Sequence, residues 1–287
     1  MVKGRKIGVA LSSGGARGAG HIGVLKALQK ADVPIDCLSG SSAGAVVAAC
    51  FACGTLERLE DFLLGIRKRD VVKFFDFHLS KESIIAGERV LRIFRWLTEN
   101  KQFKDLSLPV FVMASDIRSG KEYVFEQGSV AEALFASVCV PPLFRPVKKG
   151  KMLLVDGGLF HLLPVRILKE KGCDFVIAST IKFNQLLALE QDQKLFKTYQ
   201  AVKKGLKNIK NIIGLEEQVL DEKNTSNFLK AAIICFERGV VSAEKEERMA
   251  DVLIKTDMNG ITIFDLYRAQ ECIKRGKEEA EKQLHFW

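Results

Sequence analysis

Histidine is scarce in this chain. Only His21, His78, His161 and His285 occur among 287 residues. A serine nucleophile usually takes its base from a histidine, so a hydrolytic site here has few partners to choose from. Metal ligands are also short. Seven cysteines (Cys37, Cys50, Cys53, Cys139, Cys173, Cys235 and Cys272) form no ligand pattern with matching histidines. Cys50 and Cys53 have C-x-x-C spacing, but no second pair answers them, which argues against zinc. The odd number and the apolar settings point to buried, reduced thiols in a cytosolic protein. No apolar run reaches the length of a membrane span. The basic start, residues 1–6, precedes only the short stretch 7–11, too short for a secretory signal, so that stretch reads as a first strand.

What is present is a globular composition: 47% apolar and 28% charged residues, enough for a buried core in one large domain or two small ones. The net charge of +9 favours anionic partners. Nucleic acid and anionic lipid both qualify, and charge alone does not choose between them.

The most informative stretch is Gly40-Ser41-Ser42-Ala43-Gly44. A short apolar segment, 33–39, leads into it and a run of small apolar residues, 45–53, follows. That order reads as strand, tight turn, helix, the setting of a G-x-S-x-G nucleophile elbow. Glycines beside a serine in strained backbone remove Cβ clashes, and the following helix points free N–H groups at the reacting centre. Ser42 is then the nucleophile and Ser41 a spacer. A plain helix start with a serine cap uses the same residues.

Alternating strand and helix signals run through most of the chain and predict an α/β fold, a central mostly parallel sheet flanked by helices. Strands are expected at 7–11, 108–116, from 123, at 152–155, 174–179 and 250–255. Helices are expected at 21–30, 56–66, 90–97, 130–139, from Pro164 to a Gly172 cap, and 264–276, with a charged tail after 277. Residues 148–151 read as a hairpin turn. Residues 72–79 are rich in phenylalanine and suit either core or a mobile cover.

Between the first strand and helix lies Ser12-Ser13-Gly14-Gly15-Ala16-Arg17-Gly18, a glycine-rich concavity of N–H donors suited to phosphate or an oxyanion. Gly18 to Gly23 also spells G-x-G-x-x-G, with Asp36 downstream where a ribose-binding acid would stand. Against a dinucleotide site, the match is displaced into the helix, Arg17 precedes it, and the next strand leads to the serine elbow.

Two routes supply a base for Ser42. The chain order Ser42, Asp156, His285 mimics an α/β-hydrolase triad, but His285 lies at a charged terminus. Alternatively Asp156, ending a strand before Gly157-Gly158, takes the proton directly. The glycine loop, Ser42 and Asp156 all follow strand ends, which a parallel sheet would gather at one edge.

The set Gly14-Gly15-Ala16-Arg17-Gly18, Gly40-Ser41-Ser42-Ala43-Gly44 and Asp156-Gly157-Gly158 resembles the patatin-like phospholipases. Residues 136–144 and 260–265 look like bacterial members. The likeness covers about residues 5 to 180 and again near 250 to 280. It implies a patatin-like fold, with Ser42 and Asp156 as a dyad without histidine. It also implies an oxyanion hole from Gly14, Gly15, Ala16, Arg17 and Gly18, hydrolysis of lipid acyl esters, and no metal or cofactor. One departure stands out: where the family often has Asn before the proline, this chain has Leu159 to Leu163, which suggests a bulkier, more apolar pocket rim.

Residues 184–248 have no counterpart in that likeness and are expected to form a helical insertion within a single domain, 1–287. Leu195, Tyr199, Val202, Leu206, Ile209 and Ile213 recur at helical spacing. Lys197, Lys203, Lys204, Lys207 and Lys210 fill other faces. Such a helix can lie on an anionic membrane or pack on the protein. The expectation is a cytoplasmic lipid acyl hydrolase able to touch a membrane peripherally through these lysines, with no nucleic-acid partner. The alternative is a non-catalytic membrane adaptor.

Overall fold

β1 (Ile7–Leu11) is buried along its whole length and lies inside the sheet. Its side chains serve two cores. Ile7, Val9 and Leu11 face one, and Ala10 the other. A continuous apolar strand covered on both faces is what a parallel α/β layer requires. The computed structural model describes residues 4–74, 82–140, 144–182 and 243–284.

β1 pairs in parallel with β2 (Cys37–Ser41) on one side and β7 (Phe175–Lys182) on the other. β7 continues in parallel to β8 (Val252–Asp257), and β2 to β3 (Val110–Asp116). The remaining strands are antiparallel: β4 (Lys121–Phe125) and β6 (Met152–Asp156) on β3, and β5 (Val147–Lys149) on β6. The sheet is therefore mixed and mostly parallel, as the alternation predicts.

The first core packs beneath α1 (Gly20–Lys30), α2 (Ala43–Cys53), α3 (Leu56–Leu64) and α6 (Val130–Ser137), with the last turns of α5 (Glu82–Leu97). α4 (Lys68–Phe74) follows α3. α7 (Val165–Glu170) covers the opposite face with Leu163, Val165 and Leu168 against Phe111, Met113 and Val176. α2 suits its place because it is built of small apolar residues, almost all buried.

Some local expectations shift. β2 starts at Cys37 because Asp36 is engaged at the sheet's other end. Its carboxylate accepts the Ile7 N–H at 2.6 Å, far from where a ribose-binding acid would act. Lys148 and Lys149 belong to β5 rather than a turn. Pro164 precedes α7 as its cap, and Gly172 follows the helix with φ +81°. The charged stretch after 277 is helical: α8 (Ala269–Leu284) continues through it, with Ala280 fully buried.

α8 crosses α1 at very short range. A Cβ on Gly23 would lie 2.0 Å from the Ile273 carbonyl oxygen, and one on Gly276 2.0 Å from that of Gly20. The G-x-G-x-x-G spacing thus serves helix–helix contact through Gly20 and Gly23. Most of the expected insertion, including the five lysines from Lys197 to Lys210, lies outside the described residues. So do His78, His285 and most of the phenylalanine-rich stretch.

Candidate active site

β2 ends at Ser41, and the chain turns sharply at Ser42 with φ 52° and ψ −120°. Positive φ is strained for a side chain with a Cβ and persists only where the surroundings enforce it. Here they do. A Cβ on Gly40 would lie 2.5 Å from Ala45 Cα, and one on Gly44 2.4 Å from the Leu11 carbonyl, so only glycine fits on either side. The Ser42 N–H donates to Ser137 Oγ at 2.9 Å, and that hydroxyl donates to the Met113 carbonyl at 2.6 Å. α6 thus holds the elbow against β3 through a single serine.

β6 brings Asp156 to the same point. Ser42 Oγ donates to Asp156 Oδ2 at 2.5 Å. The other carboxylate oxygen accepts the Gly158 N–H at 2.6 Å, and the Asp156 N–H donates to the Cys139 carbonyl at 2.9 Å. Both side chains are secluded, Ser42 being 9% exposed and Asp156 3%. Burial raises the Asp156 pKa to about 7, against the opposing pull of the hydrogen bonds from Ser42 and Gly158. A carboxylate balanced near neutrality can both take and return a proton.

The convergence does not come from a parallel sheet edge. β6 runs antiparallel to β3, and Asp156 pairs with Ala114, while Ser41 pairs with the preceding residue, Met113. β4 occupies the other side of β3 at these positions. β2 and β6 therefore meet end to end along one side of β3, and their terminal turns face each other.

The glycine loop closes the third side. Gly15 to Ala19 form a short 3-10 turn. A Cβ on Gly18 would lie 2.4 Å from Ala43 Cβ, so the turn presses on the residue after Ser42. Gly158 links the loop to the carboxylate, since a Cβ there would lie 2.6 Å from Ser13 Oγ. The N–H groups of Gly14 and Gly15 have no hydrogen-bond partner among the described residues. The Ala16 N–H donates to the Ile263 carbonyl at 2.9 Å. Arg17 is buried, and its Nε–H donates to the Gly14 carbonyl at 3.2 Å. Because a peptide's C=O and N–H point in opposite directions, this bond turns the Gly15 N–H the other way. Burial lowers the Arg17 pKa to about 10, partly offset by Cys272 and Asp265, so it stays cationic at neutral pH.

No histidine among the described residues touches Ser42. His21 is fully buried, with Nε2 2.9 Å from the Ser12 carbonyl and Nδ1 2.8 Å from Ser179 Oγ. A carbonyl only accepts, so Nε2 carries the proton and Nδ1 accepts from Ser179. Burial lowers the His21 pKa to about 4, the Ser12 hydrogen bond opposing, and the ring is neutral. It clamps the start of the glycine loop. His161 instead faces Glu122 at 3.4 Å. Leu159 and Phe160 pack inward with Ile117, Leu153 and Val155 rather than forming an open rim. Sequence reasoning passed over Ser137 as a support, since a lone serine at a helix end carries no distinguishing signal.

Among the described residues no group of three His, Cys, Asp or Glu could hold a metal ion, and no helix is long and apolar enough to cross a membrane.

This geometry coincides with a family match. The patatin-like phospholipase model matches residues 9–169, which include the glycine loop, the elbow and Asp156. An uncharacterized NTE family protein of Mycobacterium tuberculosis is 31% identical over 176 residues, 61% of this chain and 49% of that protein. Patatin-like phospholipase domain-containing protein 6 of Mus musculus is 33% identical over 187 residues, 62% of this chain and 14% of that protein. The chain thus spans about half the mycobacterial relative and a small part of the mouse one. Among solved structures, VipD from Legionella pneumophila shares the fold, with TM-score 0.51 and 16% identity over 98% of this chain and 67% of that chain. With more than half its length matched by the family model, the chain belongs to the patatin-like phospholipase family.

Proposed function

We propose that the chain is a lipid acyl hydrolase working through a Ser42–Asp156 dyad. The observation that carries this reading is the 2.5 Å hydrogen bond between a strained, positive-φ serine and a buried carboxylate. Ser42 Oγ attacks the ester carbonyl carbon while Asp156 Oδ2 accepts its proton. The developing oxyanion is met by the Gly14 and Gly15 N–H groups, which have no partner among the described residues, and by the positive end of α2. The Ala16 N–H serves the loop itself by bonding Ile263. Collapse of the tetrahedral intermediate expels the alcohol, which takes the proton from Asp156. Water then attacks the acyl-enzyme, gives its proton to Asp156, and frees the fatty acid as Ser42 recovers its own.

The substrates are esters of phospholipids or lysophospholipids, a class supported by the family and the mouse relative's name. Peripheral membrane contact through Lys197, Lys203, Lys204, Lys207 and Lys210 belongs to the same proposal.

Labelling by a fluorophosphonate tests it. The wild type should be labelled, and Ser42→Ala and Asp156→Asn should not be, with all three folded. A phospholipid and lysophospholipid panel should then release fatty acid only with the wild type. Labelling that persists in Ser42→Ala, or an active Asp156→Asn, defeats the dyad.

A further inference from the structure

Next to the glycine loop the surface changes character. Ile263, whose carbonyl braces Ala16, is 43% exposed, Tyr267 four residues later 37%, and Leu64 at the end of α3 47%. Few other large apolar residues among those described are as exposed as these. The turn Leu266–Arg268 packs against α3, which ends at Leu64, against α4 and against the glycine loop, and Ile263 stands next to Gly15 of that loop. A Cβ on Gly15 would come within 2.9 Å of Ile263 Cβ, which places this corner of the surface at the site itself.

Cations border it. Arg67, Lys68 and Arg69 are consecutive and exposed. Lys68 Nζ stands 5.7 Å from the centre of the Tyr267 ring, joining the basic and apolar parts. Neither arginine has an acidic partner among the described residues. Asp265, in the same turn, is occupied within it, its carboxylate accepting the Thr262 N–H at 2.7 Å and facing the Tyr267 hydroxyl and Arg268.

Exposed aliphatic side chains, a tyrosine and unpaired cations together match the layered chemistry of an anionic bilayer surface. Aliphatic groups enter the acyl boundary, tyrosine sits at headgroup depth, and cations meet phosphates. A protein partner would account for the apolar side chains but would not by itself call for three adjacent exposed cations, two of them without an acidic partner among the described residues. We propose that the corner formed by Leu64, Ile263, Tyr267 and Arg67 to Arg69 docks on an anionic lipid surface and presents lipid to Ser42. This rests on the hydrolase reading and adds to it the surface from which substrate is drawn.

The test uses the full chain carrying Ser42→Ala, so that vesicles are bound but not degraded. It is sedimented with vesicles of phosphatidylcholine alone and of phosphatidylcholine with phosphatidylglycerol. Binding is expected to the anionic vesicles and to weaken as salt rises. Arg67→Glu with Arg69→Glu should lower that affinity at least about 25-fold, at roughly five-fold per lost cation near the surface. Leu64→Asp with Tyr267→Asp should lower it as well, each variant first being matched to its parent in melting temperature. Equal binding by parent and both variants overturns the docking face. So does a parent that binds no vesicle, including one that instead captures only protein. Turnover of a monomeric short-chain ester by the wild type is measured alongside. Its absence would count against the hydrolase reading, while the vesicle comparison still decides the docking face.

Discussion

Ser42 and Asp156 approach each other from opposite directions. Their strands end at neighbouring positions on one side of β3, Ser41 opposite Met113 and Asp156 opposite Ala114. Two turns that collide at a strand junction are held by backbone pairing on both sides, so the geometry of the Ser42–Asp156 pair is set by the sheet rather than by flexible loops.

The pH dependence follows from the base. In the proposed mechanism Asp156 must be ionised to accept the Ser42 proton, and burial places its pKa at about 7. Hydrolysis of a soluble ester should therefore rise with pH to a plateau, with a single ascending limb centred near that value. A midpoint in the ordinary carboxylate range would mean that the base is not this buried group.

Stability should move the other way for the same group. Because the folded pKa is raised from the ordinary value of 3.8, the folded state holds a proton that the unfolded state has lost between pH 4 and 7. Stability from this residue thus falls as pH rises through that window, by at most about 1.4 kcal/mol per pH unit. Asp156→Asn should be inactive yet melt higher than the wild type at pH 8, the gap closing toward pH 4. Thermal melts across pH check this.

His21 should show the opposite sign. Its folded pKa is lowered from 6.5 to about 4, so its contribution is complete above the unfolded value and is lost as pH falls toward 4. His21→Phe should melt lower at pH 7, by about 1–3 kcal/mol for each buried polar group left unpaired on Ser12 and Ser179. The deficit should shrink toward pH 4. If His21 also positions the glycine loop, kcat should fall more than KM changes.

Ser137→Ala leaves the Ser42 N–H and the Met113 carbonyl without their hydroxyl. The expected cost is about 1–3 kcal/mol in stability and a fall in kcat of roughly ten-fold as the elbow relaxes. KM should change little. Urea melts and steady-state kinetics separate the two effects.

Gly23→Ala forces a methyl group to within 2.0 Å of the Ile273 carbonyl and should separate α1 from α8. Overpacking of this kind costs typically about 1–3 kcal/mol. The melting temperature should drop, and titration of the wild type with NAD(P) should show no binding. Tight NAD(P) binding would restore the dinucleotide reading of that motif.

Much of the fold is legible in local pattern. The continuous apolar run of β1, the small-residue helix α2 and the Gly-Ser-Ser-Ala-Gly turn each state their role within a few residues, because backbone strain and burial are local demands. The role of Asp156-Gly157-Gly158 is less legible, since Asp-Gly also makes ordinary turns. Ser137 and His21 are illegible as supports, because each acts on residues distant in the chain.

The amino-acid order alone was enough to specify an α/β layer, a strained serine, a glycine loop and an acid at a strand end, since periodicity and turn chemistry act over short spans. Tertiary contacts settled the rest. Pairing across the sheet set β6 against β3 so that Asp156 meets Ser42 head-on. Helix packing turned the G-x-G-x-x-G glycines toward α8, and a loop contact took the Ala16 N–H for Ile263. Each is a contact between segments far apart in the chain, and such contacts depend on shape and space that no local run of residues encodes.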